Sequence, residues 1–392
     1  MIRDISIELD NNYDKKEKSK IKIWVYSLKR NGLSILFCIF TVCLVLFSKT
    51  NLAAAKSGLV LWATSVVPSL FPFFVANEML VYTNVVSILG KWLNPIMRPL
   101  FGVPGEAAFA FIMGLISGYP VGAKIVSNFI EQGICTKNEA ERMLAFTNNS
   151  GPLFIIGTVG ITLFGNTTIG ILLFITHVLA CISVGMFLNL FTTRKNNFTS
   201  NKYNVFSNVH FNNKTIRNKI SNIEQVNYKS EQNKNTYPSF SSLGEILGNS
   251  IKKATSTILM IGGFVVIFSV IISILNQSQV LDICSMFLQP AFSFIGIPIE
   301  LAKPILSGII ELTNGVNLVA NVPIKNISIN IIICAFLLGF GGISVLLQVF
   351  SIVSKNDLSI KKYAYGKFLQ GVFAAFYTLL ALQFIPFLQF NL

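Results

Sequence analysis

Aspartate almost vanishes from this chain after its first fourteen residues; only Asp282 and Asp357 follow. Charged residues of every kind make up 12% of the 392 residues, about half of the roughly 25% that a soluble domain carries. Histidine occurs twice, as His177 and His210. Each shortage excludes something. Intramembrane hydrolysis needs a pair of aspartates, or a serine with a histidine; no aspartates pair, and no G-x-S-x-G elbow accompanies Ser150 and His177. No enzyme activity is therefore expected. The six cysteines (Cys38, Cys43, Cys135, Cys181, Cys284 and Cys334) form no C-x-x-C pair and no metal-ligand spacing, so neither a metal site nor a disulfide framework nor a resident cofactor is expected. No small-residue cleavage site follows the apolar stretch Ile35–Ser48, which sits behind thirty polar residues; it reads as an anchor helix, not as a cleaved signal.

Apolar residues, by contrast, make up 52% of the chain, phenylalanine alone occurring 34 times, and the mean hydropathy is +0.62. An all-α polytopic membrane protein is the class this composition specifies. The formal net charge of +14 would suit a nucleic-acid binder, but lysine and arginine gather in residues 1–30, 194–253 and 355–367, each flanking an apolar segment. That is the positive-inside pattern, placing all three stretches in the cytoplasm, and no nucleic-acid partner is expected. Apolar segments fall at about 31–48, 58–82, 100–118, 143–165, 167–192, 254–276, 280–296, 299–320, 327–352 and 366–388. The organisation reads as a cytoplasmic basic tail (1–30), an anchor helix (31–48), a first repeat (55–193), a flexible asparagine-rich cytoplasmic linker holding His210 (194–250) and a second repeat (251–390).

The repeat rests on FGVPGEAAFAFIMGLISGYPVGAK (101–124) and IGIPIELAKPILSGIIELTNG (295–315). At a constant offset Gly102 matches Gly296, Pro104 matches Pro298, Glu106 matches Glu300 and Gly114 matches Gly308. Each segment precedes an apolar stretch broken by small residues, TNNSGPLFIIG (147–157) and LLGFGGISVL (337–346). With both the N-terminus and the linker cytoplasmic, an even number of crossings separates them. Helices at 31–48, 58–82, 143–165 and 167–192 supply four if 100–124 enters and leaves by one side. The same count makes 299–320 re-entrant from the opposite side. The expectation is an inverted repeat with two opposed re-entrant hairpins and two broken helices, the signature of secondary transporters. Ser117–Gly122, with Pro120 and its glycines, reads as the tip of the first hairpin.

Candidate site residues follow from that arrangement. Asn148, Asn149 and Ser150 offer amides and a hydroxyl where Gly151–Pro152 starts a new half-helix, whose N-terminal N–H groups suit an anion; the duller reading is a proline-kinked helix with asparagines bonded to its neighbours. Gly118, Tyr119 and Gly122 present backbone at the tip, or serve close helix packing. Thr313, Asn314 and Gly315 are their counterparts beside Glu311. Glu311 is read as a coupling or substrate-contact group, Lys124 as a neutralising charge or a snorkelling lysine, Glu106 and Glu300 as hairpin-start carboxylates, and His177 as a proton relay or a cross-helix hydrogen-bond partner. Glu78 lies in or near the second span with no partner that the sequence names.

GLISGYPVGAK, TNNSGPLFIIGTVG and His177 in the next helix together resemble the sporulation integral membrane protein YlbJ family. That group carries the Gate, or nucleoside-recognition, domain and is distantly similar to concentrative nucleoside transporters. The resemblance covers about residues 55–385. It implies a transporter of a small organic anion, dipicolinic acid, made in the mother cell and placed in the outer forespore membrane. A non-transporting scaffold for spore morphogenesis and a nucleoside transporter stay open, as do coupling to sodium or protons and assembly as a homo-oligomer.

Overall fold

The computed structural model describes residues 31–83, 85–196, 243–323 and 327–384, which contain helices and no strand. The basic tail 1–30 and most of the linker lie outside the described residues. Helix α1 (Asn31–Leu46) turns by 97° into α2 (Ser48–Leu61), so the first apolar stretch is helical and the next helix begins ten residues earlier than its apolar core suggests. A π-helical turn, Trp62–Val66, joins α2 to α3 (Val67–Val81). Then come α4 (Val85–Phe101), α5 (Ala107–Ser117), α6 (Val121–Glu131), α7 (Lys137–Thr147), a π-helix (Leu153–Leu163) and α8 (Thr167–Asn196). Past the linker, α9 (Leu243–Gln277), α10 (Val280–Ile295), α11 (Ala302–Ile310), α12 (Leu312–Ala320), α13 (Ile327–Phe340), α14 (Gly342–Val353) and α15 (Lys361–Phe384) complete the described chain.

Among the described residues, four helical stretches are long and apolar enough to cross a bilayer: 167–190, 243–277, 327–356 and 361–384. The bent pair 31–64 makes a fifth if counted as one span. The protein is a multi-pass membrane protein. Several expected boundaries shift. The first hairpin is α5–α6, 107–131 and not 100–124, because α4 occupies the residues before it. That helix, with Pro95 and Pro99 inside it, does not register as an apolar run. The linker is shorter than 194–250, since α8 runs to Asn196 and α9 starts at Leu243. The basic stretch 355–367, expected in the cytoplasm, runs into α15 at Lys361, so Lys367 lies inside a helix and is buried.

The element order repeats. A helix ending in a left-handed glycine (α4 at Gly102, φ +63°; α10 at Gly296, φ +79°) leads to a helical hairpin (α5–α6; α11–α12). A broken helix (α7 with the π-helix; α13 with α14) and a long helix (α8; α15) follow. Gly102 and Gly296 are the pair matched in sequence, and each sits where an L side chain would be strained.

The hairpins close tightly because small residues line their seams. A Cβ on Gly114 would stand 3.4 Å from Gly122 Cα, and one on Gly315 would fall on the Gly308 backbone. The two apolar cores cross the repeat boundary. The first joins α5, α6 and α7 to α14 through Val345, Val349 and Val353. The second joins α11, α12 and α13 to the π-helix through Ile155 and Val159. Each hairpin thus packs on the first half of its own broken helix and the second half of the other.

Candidate functional site

Both hairpin tips and the first helix break meet at one place. α5 ends at Gly118, whose φ of +79° turns the chain into a cis Tyr119–Pro120 bond before α6. This tip abuts the first break so closely that a Cβ on Gly118 would lie 3.0 Å from Gly151 N. The second hairpin breaks at Glu311, extended between two helices. Its carboxylate accepts from Thr313 N (3.0 Å) and Asn314 N (2.8 Å), capping α12. Two orphan donors of the helix start are satisfied by one buried carboxyl group, whose ionised form the helix dipole favours. Tyr119 spans the repeats: its hydroxyl donates to Leu338 O (3.5 Å) and stands beside the Gly341 break.

A cavity of about 120 Å³ opens between these tips, roughly ten times what one water needs by the same measure. Gly118, Tyr119, Ser150 and Gly151 form one wall, Glu311, Leu312 and Thr313 another. Gln348 of α14 adds an amide, and Leu70 of α3 with Ile261 and Val265 of α9 adds apolar surface. Ser150 Oγ is buried there without a hydrogen-bond partner.

Behind Tyr119 lies a second polar group of residues, fully buried. Lys367 of α15 is 0% exposed and donates to Asn148 O (3.0 Å), Gln370 Oε1 (2.6 Å) and Asn149 Oδ1 (3.4 Å). Its ammonium stands 5.1 Å from the centre of the Tyr119 ring. Gln370 Nε2 donates to Asn149 Oδ1 (3.0 Å) and to Cys181 Sγ (2.8 Å), and lies 3.4 Å from His177 Nε2. Asn148 Nδ2 donates to the Tyr363 hydroxyl (2.8 Å), and Ala123 N donates to Asn148 Oδ1 (3.3 Å). Asn149 Nδ2 donates to Phe146 O (2.7 Å). No carboxylate pairs with Lys367 among the described residues.

The expected residues therefore divide. Gly118, Tyr119, Ser150, Gly151, Glu311 and Thr313 surround the cavity; Asn148, Asn149 and His177 lie in the inner cluster, where His177 bonds across helices and its Nδ1 has no partner. Gly122 packs on the Thr147–Asn148 backbone, Gly315 on Gly308, and Asn314 gives its N–H to Glu311. Lys124 stands apart from both groups. It pairs with Glu78 and donates to Thr257 (3.0 Å), away from the cavity, with Lys253 3.7 Å from the same carboxylate. That pair also names the missing partner of Glu78. Glu106 precedes α5 without a capping bond, beside Gly90, and Glu300 is exposed in a 3₁₀ turn. Sequence reasoning missed Lys367, Gln370, Tyr363 and Cys181. For Lys367 the signal was present: a lysine inside an apolar helix four residues past Tyr363, masked by the basic run before it.

The comparisons bear on this geometry. The family model described as Gate, nucleoside recognition, matches residues 63–193 and 258–356, and so covers both hairpins and both breaks. The sporulation integral membrane protein YlbJ of Bacillus subtilis (strain 168) is 33% identical over 345 residues, 88% of this chain and 80% of the relative. No solved structure matches. The chain belongs to the nucleoside-recognition, or Gate, family and is a relative of that sporulation protein.

Proposed function

We propose that this family member is a carrier that moves a small organic anion, dipicolinic acid, across the outer forespore membrane during sporulation. In this reading the N-terminus is cytoplasmic and α5–α6 and α11–α12 are re-entrant hairpins entering from opposite faces. The observation that carries it is the cavity between the two tips. Backbone breaks at membrane depth are tolerated where they line a cavity, and here two hairpin tips and the start of the π-helix do so together. Movement of a hairpin against its broken helices would expose the cavity to alternate sides. The sporulation setting is drawn from the relative's name.

A nucleoside is the second reading. It is favoured by the family description and by Glu311, a carboxylate at the cavity wall suited to sugar hydroxyls. Glu311 is also the group through which sodium or a proton would couple.

Purified protein in liposomes tests both readings. Saturable uptake of radiolabelled dipicolinate, lost in Asn149→Ala, is the expected result. Uptake of uridine without dipicolinate establishes the second reading. No uptake of either, with or without a sodium or proton gradient, favours a morphogenetic scaffold. Dipicolinate uptake that survives Asn149→Ala keeps the carrier and removes Asn149 from its site.

A further inference from the structure

The inner cluster holds a fully buried lysine with no carboxylate partner among the described residues. We infer that Lys367 is the counter-charge for a carboxylate ligand, which reaches it past the Tyr119 ring and is held by Lys367, Gln370 and the backbone around Asn149. The inference rests on the reading of the chain as an anion carrier.

Two independent features support it. The first is the uncompensated ammonium. A buried lysine is stable when an opposite charge and hydrogen bonds replace its water. Lys367 has the hydrogen bonds, and Asn148 O at the end of α7 supplies the partial negative charge of a helix C-terminus. For the protonated lysine that is about half a unit charge against a full one, and among the described residues no carboxylate within ion-pair reach supplies the rest.

The second is a surplus of donors. Asn149 Oδ1 faces three of them: Lys367 Nζ, Gln370 Nε2 and Cys181 Sγ. A carboxamide oxygen has two lone pairs. A carboxylate, which supplies acceptors alone, would relieve that one oxygen of a donor.

Access is equally specific. The Tyr119 ring lines the cavity and also stands over Lys367, so displacement of this one side chain joins cavity to cluster. Ser150 Oγ, buried and unpartnered at the same wall, offers a further donor along the way. Glu311 lies across the cavity on the second hairpin, where its ionised form would repel an anion towards Lys367. A carboxylate paired there would sit where an ammonium, two amides and a thiol converge.

The test measures binding of three probes to the full chain purified in detergent: dipicolinate, its one-carboxylate analogue picolinate, and the uncharged isostere pyridine-2,6-dicarboxamide. The wild type is expected to prefer dipicolinate over the dicarboxamide by about 30-fold or more, roughly 2 kcal/mol at 1.4 kcal/mol per decade. Lys367→Met should erase that preference, and Lys367→Arg should keep most of it. Should Lys367→Met fail to fold, Asn149→Asp decides. It sets a carboxylate of the protein's own beside Nζ, at the loss of the Asn149 donor to Phe146 O, and is expected to abolish anion binding in a chain that still folds.

Discrimination as strong as wild type in Lys367→Met or Asn149→Asp overturns the inference, as does a wild type that binds no carboxylate or ranks the dicarboxamide equally. Lys367-dependent binding of picolinate alone leaves the inference standing and removes dipicolinate as the substrate. Lys367-independent dipicolinate uptake removes the inference and leaves the carrier.

Discussion

Asn148 shows how a short polar side chain can hold three elements at once. It ends α7, accepts from Ala123 N of α6 and donates to the Tyr363 hydroxyl of α15. Asn148→Ala strands two buried polar groups, each costing about 1–3 kcal/mol, and the thermal midpoint in detergent should fall accordingly; Tyr363→Phe, which leaves one amide hydrogen unpaired, should fall less. Ion pairs divide by burial in the same way. Glu78→Gln leaves Lys124 without its nearly buried partner, a loss of about 2–3 kcal/mol, somewhat under the ~3–5 of a fully buried pair. Asp357 pairs with Lys137 at 2.8 Å in full solvent, and Asp357→Asn should leave the midpoint unchanged at neutral pH. The hydrogen bond and charge of Lys137 hold the Asp357 carboxyl below its ordinary range. Whatever it contributes is thus present above the ordinary carboxylate pKa of about 4 and is lost as pH falls below it. TNNSGP drew attention to itself in the sequence because amides and a proline interrupt an apolar stretch. Lys367 did not, because a lysine six residues after Lys361 and five after Lys362 reads as one more interfacial anchor until the helix is seen to carry it inward.

At the scale of elements, the hairpins depend on glycine seams. Gly315→Ala would drive a methyl group onto the Gly308 backbone, and Gly122→Ala would set one 2.6 Å from Thr147 C and 2.8 Å from Asn148 Cα. Overpacking of this kind costs about 1–3 kcal/mol; both variants should melt earlier and lose uptake. Gly263→Ala, with nothing within 4 Å of its added methyl, is the matched control and should do neither. The breaks at Gly118, Ser150–Pro152 and Gly341 were legible because glycine, proline and polar residues have few other uses within an apolar run. Helix α4 was not, since Lys91, Arg98, Pro95 and Pro99 disguise an amphipathic helix as a connection. The 97° turn between α1 and α2 has no glycine or proline at Phe47 to announce it.

The whole molecule is held together by its crossed cores more than by its chain connection. With Val345, Val349 and Val353 of the second half packed on the first hairpin, and Ile155 and Val159 of the first half packed on the second, a cut in the linker should not separate the halves. A protease site placed within 197–242 and cleaved in detergent is expected to give two fragments that still elute together; separate elution would mean the cross-packing is too weak to bind them. The repeat that makes this possible was visible in four matched residues, but the exchange of half-helices was not, because no local pattern records which distant surface a helix meets. That exchange has a consequence during synthesis. When α8 leaves the ribosome, the first hairpin has its own α7 but an empty flank where α14 belongs, and roughly seven to thirty seconds of translation at ~5–20 residues per second pass before that helix arrives. Until then the nascent half must wait in the membrane with an apolar groove covered by lipid or by an insertion chaperone, and errors of assembly should concentrate in that interval.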